Sequence, residues 1–311
     1  AVSAYSRSLD DDYDFDRRTQ EVGVPGSFDH KTSNWGLGLR GKTDLANVDY
    51  EYAVQYQADE LVRSTDLTEG AFSSRQYISA ALAPTWQVSG EAADWRFKAG
   101  IVYQDTSRSE PFWGALGSAT WISKALPLQL TLDYADSSQV PGYTALKSRP
   151  AGLFGGNAGL GREESAQWSA TLNYQPGVVG ELSASIFKRS DDDLVDWTYN
   201  TIQPSARQAN SVDLDVKGVE VLWRASMGDF AWVVGGMHLT KNANYGSAMV
   251  DASYYALNYA KQRFTAALSW QLGEQWQVKL DNEYRRQAHN PLRSGADTAY
   301  FGSAAVVYSP V

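Results

Sequence analysis

The sequence predicts an all-β protein, an antiparallel up-and-down transmembrane β-barrel with about 14 strands present along its 311 residues. Three observations predict it. Apolar and polar residues alternate with period two over long stretches, short and long connections follow one another in turn, and aromatic residues make up 13% of the chain. Period two puts successive side chains on opposite faces of a strand. A strict short/long rule means that the two ends of an up-and-down sheet face different surroundings.

Strands are expected to start near Ala1, Lys31, Asn47, Arg75, Asp94, Phe112, Pro127, Ala166, Gly180, Asn210, Asp229, Ala256, Gln275 and Thr298. The clearest alternations place Val48, Tyr50, Tyr52, Val54 and Tyr56 on one face, then Trp95, Phe97, Ala99, Ile101 and Tyr103, then Trp276, Val278, Leu280, Asn282 and Tyr284. The opposite face carries Asp49, Glu51, Arg96, Lys98, Lys279, Asp281, Glu283 and Arg285, charges suited to a hydrated lumen. Short turns are expected at Asp44–Ala46, Gly90–Ala93, Lys124–Leu126, Pro176–Val179, Met227–Gly228 and Gly273–Glu274. Long polar loops are expected at Asp10–His30, Val62–Ser74, Ser107–Pro111, Ser138–Ser165, Asp191–Ala209, Lys241–Tyr255 and Ala288–Asp297. Trp35, Trp95, Trp168 and Trp276 are assigned to the short-turn half of the strands, and Tyr56, Tyr103, Tyr134 and Tyr284 to the long-loop end. Two girdles of amphipathic rings follow, one at each interface.

Composition narrows the function classes. Net charge is −9 and no basic run is long enough to track a phosphate backbone, so nucleic acid is not an expected partner. Cysteine is absent, which excludes disulfides, thiolate metal sites and a cysteine nucleophile. His30, His238 and His289 lie in separate segments without a nucleophile elbow or paired-His spacing, so neither an enzyme nor a resident cofactor is expected. Of the acidic run at the first loop, Asp10, Asp12 and Asp14 are the calcium candidates, because clustered carboxylates supply hard oxygen ligands; a solvated loop fits better, given Arg17 and Arg18 just after it.

Several segments resemble one family. Pro141-Gly142-Tyr143-Thr144-Ala145-Leu146 and the run from Gly155 to Glu163 are similar to the Gly-Asn-Pro-x-Leu-x-Pro-Glu segment of TonB-dependent outer-membrane receptors. Asn157, Leu160 and Glu163 match it, while Ala158 and Arg162 replace its prolines. Phe187 through Asp191-Asp192-Asp193-Leu194-Val195-Asp196-Trp197 resembles the family's aromatic-to-Asp-Leu-Ile-Asp strand end. Asn210 through Val216-Lys217-Gly218-Val219-Glu220 resembles its Gly-x-Glu strand, and Leu257 to Phe264 and Ser3 to Asp16 are similar to further segments. Physically, Gly218 suits a bulge or a close backbone approach, Glu220 a lumen-facing position, and Asn157 a positive φ at the base of a loop.

The resemblance implies a barrel segment (residues 1–311) of a 22-strand receptor in the Gram-negative outer membrane, with the N-terminal plug, its TonB-docking segment and the terminal strands outside this sequence. It also implies import of a scarce nutrient of the siderophore or cobalamin class. Outer-membrane lipid, the TonB complex through the plug, and a small nutrient ligand are the partners implied. Tyr143, Phe154, Trp197, Tyr199, Arg207, Tyr254 and Tyr255 are the loop residues expected to touch that ligand, through stacking area and, at Arg207, a planar fork for carboxylate or catecholate oxygens. A passive 14-strand porin is the alternative.

Overall fold

The computed structural model describes residues 1–13, 28–65, 67, 73–148, 154–177, 180–202 and 207–310. Its strands, in order, are β1 (Val2–Tyr13), β2 (Phe28–Leu45), β3 (Val48–Ser64), β4 (Ser74–Ser89), β5 (Ala93–Thr106), β6 (Ser109–Ser123), β7 (Leu128–Gln139), β8 (Phe154–Gly155), β9 (Glu163–Tyr174), β10 (Glu181–Tyr199), β11 (Arg207–Met227), β12 (Phe230–Asn244), β13 (Ala252–Ser253), β14 (Ala260–Leu272), β15 (Trp276–Gln287) and β16 (Thr298–Tyr308). A five-residue helix, α1 (Tyr143–Lys147), lies between β7 and β8. All belong to one sheet. Fourteen strands pair antiparallel with their sequence neighbours, and the short β8 and β13 attach to β11 and β10. β1 and β16 are its two edges, so the sheet does not close on itself. Among the described residues, no helix is long and apolar enough to cross a membrane.

Register turns period two into two continuous faces, because directly paired residues in an antiparallel ladder point the same way. Val54 lies opposite Ala80, Ala80 opposite Tyr103, and Tyr103 opposite Trp113. Farther round, Trp223 pairs with Val234, Val234 with Ala266, and Leu268 with Leu280. This face is apolar and exposed: Leu37, Leu82, Ile101, Leu132, Ile186 and Leu280 all present more than a third of their surface. A soluble fold would bury such residues. The other face pairs its charges, Lys98 with Glu51 and Lys42 with Asp49, and Glu283 with both Arg263 and Arg285.

Rings bound the apolar band on both sides. Toward the short turns lie Trp95–Phe97, Trp223–Trp232, Phe230–Trp270 and Trp276–Tyr308, with centroids 4.6–5.7 Å apart. Toward the long connections lie Trp35–Tyr56, Tyr103–Trp113, Tyr134–Trp168 and Phe264–Tyr284. Trp276 and Tyr284 on β15 are separated by about 26 Å of strand at roughly 3.3 Å per residue, suited to a tilted crossing of a hydrocarbon layer. Trp35 and Trp168 therefore belong to the long-loop girdle, against expectation. β2 begins at Phe28 and Trp168 stands only five residues into β9, so both rings sit near the loop end of their strands.

Three further expectations are corrected. Ser107–Pro111 is no long loop: β5 and β6 are joined by Ser107 and Arg108 alone, so the short/long rule fails there. Asp191–Ala209 is mostly strand, since β10 runs to Tyr199 and β11 starts at Arg207; a register shift between Asp191 and Leu194, with Asp193 at φ 54°, carries β10 past its acidic run. Asp10 to Asp12 are strand rather than loop, and Asp14 and Asp16 lie outside the described residues. Gly218 marks a close approach: the ladder is regular there, and a Cβ would stand 2.4 Å from the Phe187 ring. Glu220 lies on the polar face, opposite Ser185 and Met237.

The polar face is concave. Pro141, just before α1, is held by Arg75 of β4, and Ser148, just after α1, accepts a hydrogen bond from the Gly156 N–H, beside the β8–β11 pairing. In a flat sheet β4 and β11 would stand six strand steps of about 4.8 Å, roughly 29 Å, apart. One short segment bridges them because the sheet curls inward.

Hairpin ends rely on left-handed backbone. Ala46 and Asn47, at φ 53° and 63°, close β2 to β3 with the turn handedness that suits strand twist. Gly180 has φ +88°, and a Cβ there would stand 2.1 Å from the Arg224 carbonyl oxygen, whereas Gly177 (φ +76°) has open space. Gly180→Ala should cost roughly 2–5 kcal/mol and Gly177→Ala about 1 kcal/mol, read as urea midpoints in lipid vesicles. Equal effects would contradict the close approach.

Candidate functional site

Above the long-loop girdle the inner face changes character. Val212, Leu214 and Val216 of β11 form a buried apolar cluster with Ala256 of the β12–β14 connection, packed by Phe187, Leu194, Leu239, Ala243 and Tyr245. The β12–β14 connection folds onto this patch, held by one carboxylate. Asp196, fully buried, accepts hydrogen bonds from the Tyr245 hydroxyl (2.9 Å) and from the backbone N–H groups of Tyr255 (3.0 Å) and Ala256 (2.9 Å). β13 adds main-chain pairing to Thr198 and Tyr199. Burial pushes the Tyr245 hydroxyl's pKa upward, which keeps it a donor.

Six of the seven expected loop residues gather here. The Phe154 and Trp197 rings meet edge to face at 5.4 Å, brought together by the parallel pairing of β8 with Arg207 and Gln208. The Arg207 guanidinium lies 4.1 Å over the Tyr199 ring and 6.0 Å from that of Tyr254. Tyr199 is buried, its hydroxyl donating to Asn290 at 3.3 Å, so its ring is part of the scaffold. Tyr254 and Tyr255 are 44% and 56% exposed and keep accessible ring surface.

Tyr143 stands apart, on the β3–β4 wall. Its hydroxyl donates to Asp59 (2.6 Å), which also takes a two-pronged contact from Arg75 (3.1 and 3.0 Å) and a bond from the Tyr77 hydroxyl (3.1 Å). The Arg75 guanidinium lies 4.0 Å over the Tyr143 ring and donates to the Pro141 carbonyl at 2.7 Å. Burial drives the Tyr143 pKa upward, and Asp59 as acceptor adds to it. The group is a clasp that fastens α1 to the wall, and Asn157 continues the strap by donating its backbone N–H to Ala145 at 2.7 Å. Asn157 is not among the positive-φ residues, contrary to expectation; its side chain instead accepts from Gly159 N–H at 2.9 Å. Glu163, the motif glutamate, is buried and takes hydrogen bonds from Gln139 (3.1 Å) and the Val195 N–H (3.0 Å), joining β7, β9 and β10.

Between this strap and the wall lies a polar cavity of about 320 Å³, lined by Gln55, Gln57, Tyr77, Gln104, Thr106 and Arg162. Among the described residues, no group of three or more His, Cys, Asp or Glu could hold a metal ion. Asp10, a calcium candidate, is instead ion-paired with Lys31 at 3.1 Å and stands 4.0 Å from Arg63. The anchors Asp59, Arg75 and Asp196 were not anticipated as site residues. Their signal was an ionisable residue at an inward position, which a lumen also accommodates unpaired.

The family model described as TonB dependent receptor-like, beta-barrel, matches residues 1–309. The chain belongs to this family. Solved structures share the fold: the FrpB iron transporter from Neisseria meningitidis (12% identity, TM-score 0.68), the copper transporter OprC (14%, 0.65) and the siderophore receptor PirA from Acinetobacter baumannii (13%, 0.61). The alignments cover 98%, 98% and 90% of this chain but only 52%, 52% and 48% of those chains, so it spans about half their length. No curated protein matches the sequence. The comparisons are thus with receptors and transporters rather than enzymes.

Asp196→Ala leaves two N–H groups and a hydroxyl without their acceptor, at about 1–3 kcal/mol each. Cleavage of the receptor barrel between residues 245 and 256 by added protease should rise at least about tenfold, whereas Asp192→Ala, at an exposed position, should leave it unchanged. Equal cleavage in both variants would contradict the anchor.

Proposed function

We propose that this chain is part of the wall and mouth of an outer-membrane receptor that binds a scarce nutrient, of the siderophore or cobalamin class, and imports it through a plugged 22-strand barrel by way of the TonB complex. The observation that carries this reading is the division of one sheet into an apolar outer face between two aromatic girdles and a charge-paired inner face roofed by inward-folded connections. The family match supports it. Structural neighbours include a siderophore receptor, an iron transporter and a copper transporter, which supports a small scarce nutrient as the ligand. Tyr254, Tyr255 and Arg207, with the Phe154–Trp197 pair behind them, are the ligand contacts of this proposal. The 14-strand porin is less well supported, because it needs β1 and β16 paired and the sheet leaves both as edges.

The test uses cells carrying the complete receptor and a panel of labelled ferric siderophores and cobalamin. One member of the panel should bind to intact cells and enter them only when TonB and the proton-motive force are present. Tyr254→Ala with Tyr255→Ala should weaken that binding about tenfold, as lost stacking of two rings implies. Uptake that rises linearly with concentration and ignores both TonB and a protonophore would establish the porin instead.

A further inference from the structure

The outer face holds one feature that a wall meeting only hydrocarbon does not need. Lys188 on β10 and Lys217 on β11 are directly opposite each other in the ladder, and both are exposed. They share their face with Ile186 and Val219, the next pair toward the short turns. Like charges directly opposite each other across strands repel. Their row runs on through Trp168 and Tyr134 on one side and Thr240 on the other, so the ammonium groups stand at the level of the long-loop girdle.

Among the described residues neither lysine has an ion-pair partner, in contrast to the bridged lysines and arginines of the inner face. Two acids on this side accept neutral donors: Asp215, two positions from Lys217, accepts from the Ser190 hydroxyl at 3.2 Å, and Asp136 accepts from the Tyr134 hydroxyl and from the Ala115 N–H at 2.8 Å. Below the lysines opens a groove of about 560 Å³, floored by Leu132, Ala170, Ile186 and Val219 and flanked by Trp168 and His238.

We propose that Lys188 and Lys217 form a docking site for a phosphorylated lipid of the surrounding leaflet, its phosphate between the two ammonium groups and an acyl chain in the groove. The inference rests on the reading that this face meets the membrane. Charge complementarity selects the head group, since a phosphate relieves the repulsion of the pair at an interface where screening by water is reduced. A soluble phosphate would leave the groove empty; a lipid fills both parts with one molecule, and anionic head groups are held by basic clusters at this level of a membrane protein.

The complete receptor, reconstituted in phosphatidylcholine nanodiscs doped with phosphorylated lipid A, should retain that lipid in native mass spectra at least about tenfold more than Lys188→Gln with Lys217→Gln. Dephosphorylated lipid A should behave like the double variant, and Lys279→Gln on the inner face should change nothing. Equal retention by the double variant overturns the site, and displacement of the lipid by millimolar inorganic phosphate overturns the assignment to a lipid. A spin label at Val54→Cys, on the same face but far from the groove, separates the two readings. Collision with oxygen rather than with a water-soluble nickel complex upholds the membrane face, so that equal retention then removes the lysine site alone. The reverse collision pattern overturns both.

Discussion

The structure depends on one constraint: inside hydrocarbon there is no water to hydrogen-bond a peptide group, so every N–H and C=O must find a partner within the protein. A sheet meets it only if each strand is paired along its whole crossing, and that fixes register. Once Val54 is opposite Ala80 and Trp223 opposite Val234, a slip of a single residue would turn Asp49, Glu51 and Lys98 toward lipid and Leu82 and Ile101 toward the lumen. The apolar band of one face and the ion pairs on the other follow from the same ladder.

Above the girdle water returns, and the chain is free to leave the ladder. There the organising groups are carboxylates turned inward. Asp59 holds α1 against β3 and β4, Asp196 holds the β12–β14 connection over β10 and β11, and Glu163 ties the end of the strap to β7 and β10. Each accepts from donors distant in sequence, and each removal would strand those donors in a poorly hydrated place. The mouth is thus shaped by a few charged acceptors on a wall shaped by apolar surface. Tyr143 serves this anchoring and Tyr199 is buried with its hydroxyl on Asn290, while Tyr254 and Tyr255 stay exposed.

The wall was legible in the sequence because its pattern is strictly local. All 14 strand starts fall within four residues of those expected, and the tight ends at Asn47, Gly228 and Gly273 carry residues suited to positive φ. What was not legible depends on depth and distance. Trp35 and Trp168 were given to the wrong girdle because the membrane band does not sit midway along β2 and β9. The polar Ser107–Pro111 looks like a loop whether it spans two residues or ten, and the Asp191–Asp193 run looked like a strand end because a register shift leaves no local mark. In the candidate site, Phe154, Trp197 and Arg207, which loop composition singles out, do lie together. The clasp at Asp59 was not legible, because it joins residues 84 positions apart.

These 311 residues contain no cysteine, so the central claim is measurable by single-cysteine substitution at consecutive positions of β15 in a receptor freed of any cysteine elsewhere. With the receptor in outer membranes, a water-soluble maleimide should label cysteines at Lys279, Asp281 and Glu283, and leave those at Val278 and Leu280 unlabelled. A maleimide carried on a lipid acyl chain should give the opposite pattern. Labelling without a period of two, or with Val278 and Leu280 the reactive positions in water, would contradict a wall with one face in lipid and the other in a hydrated lumen.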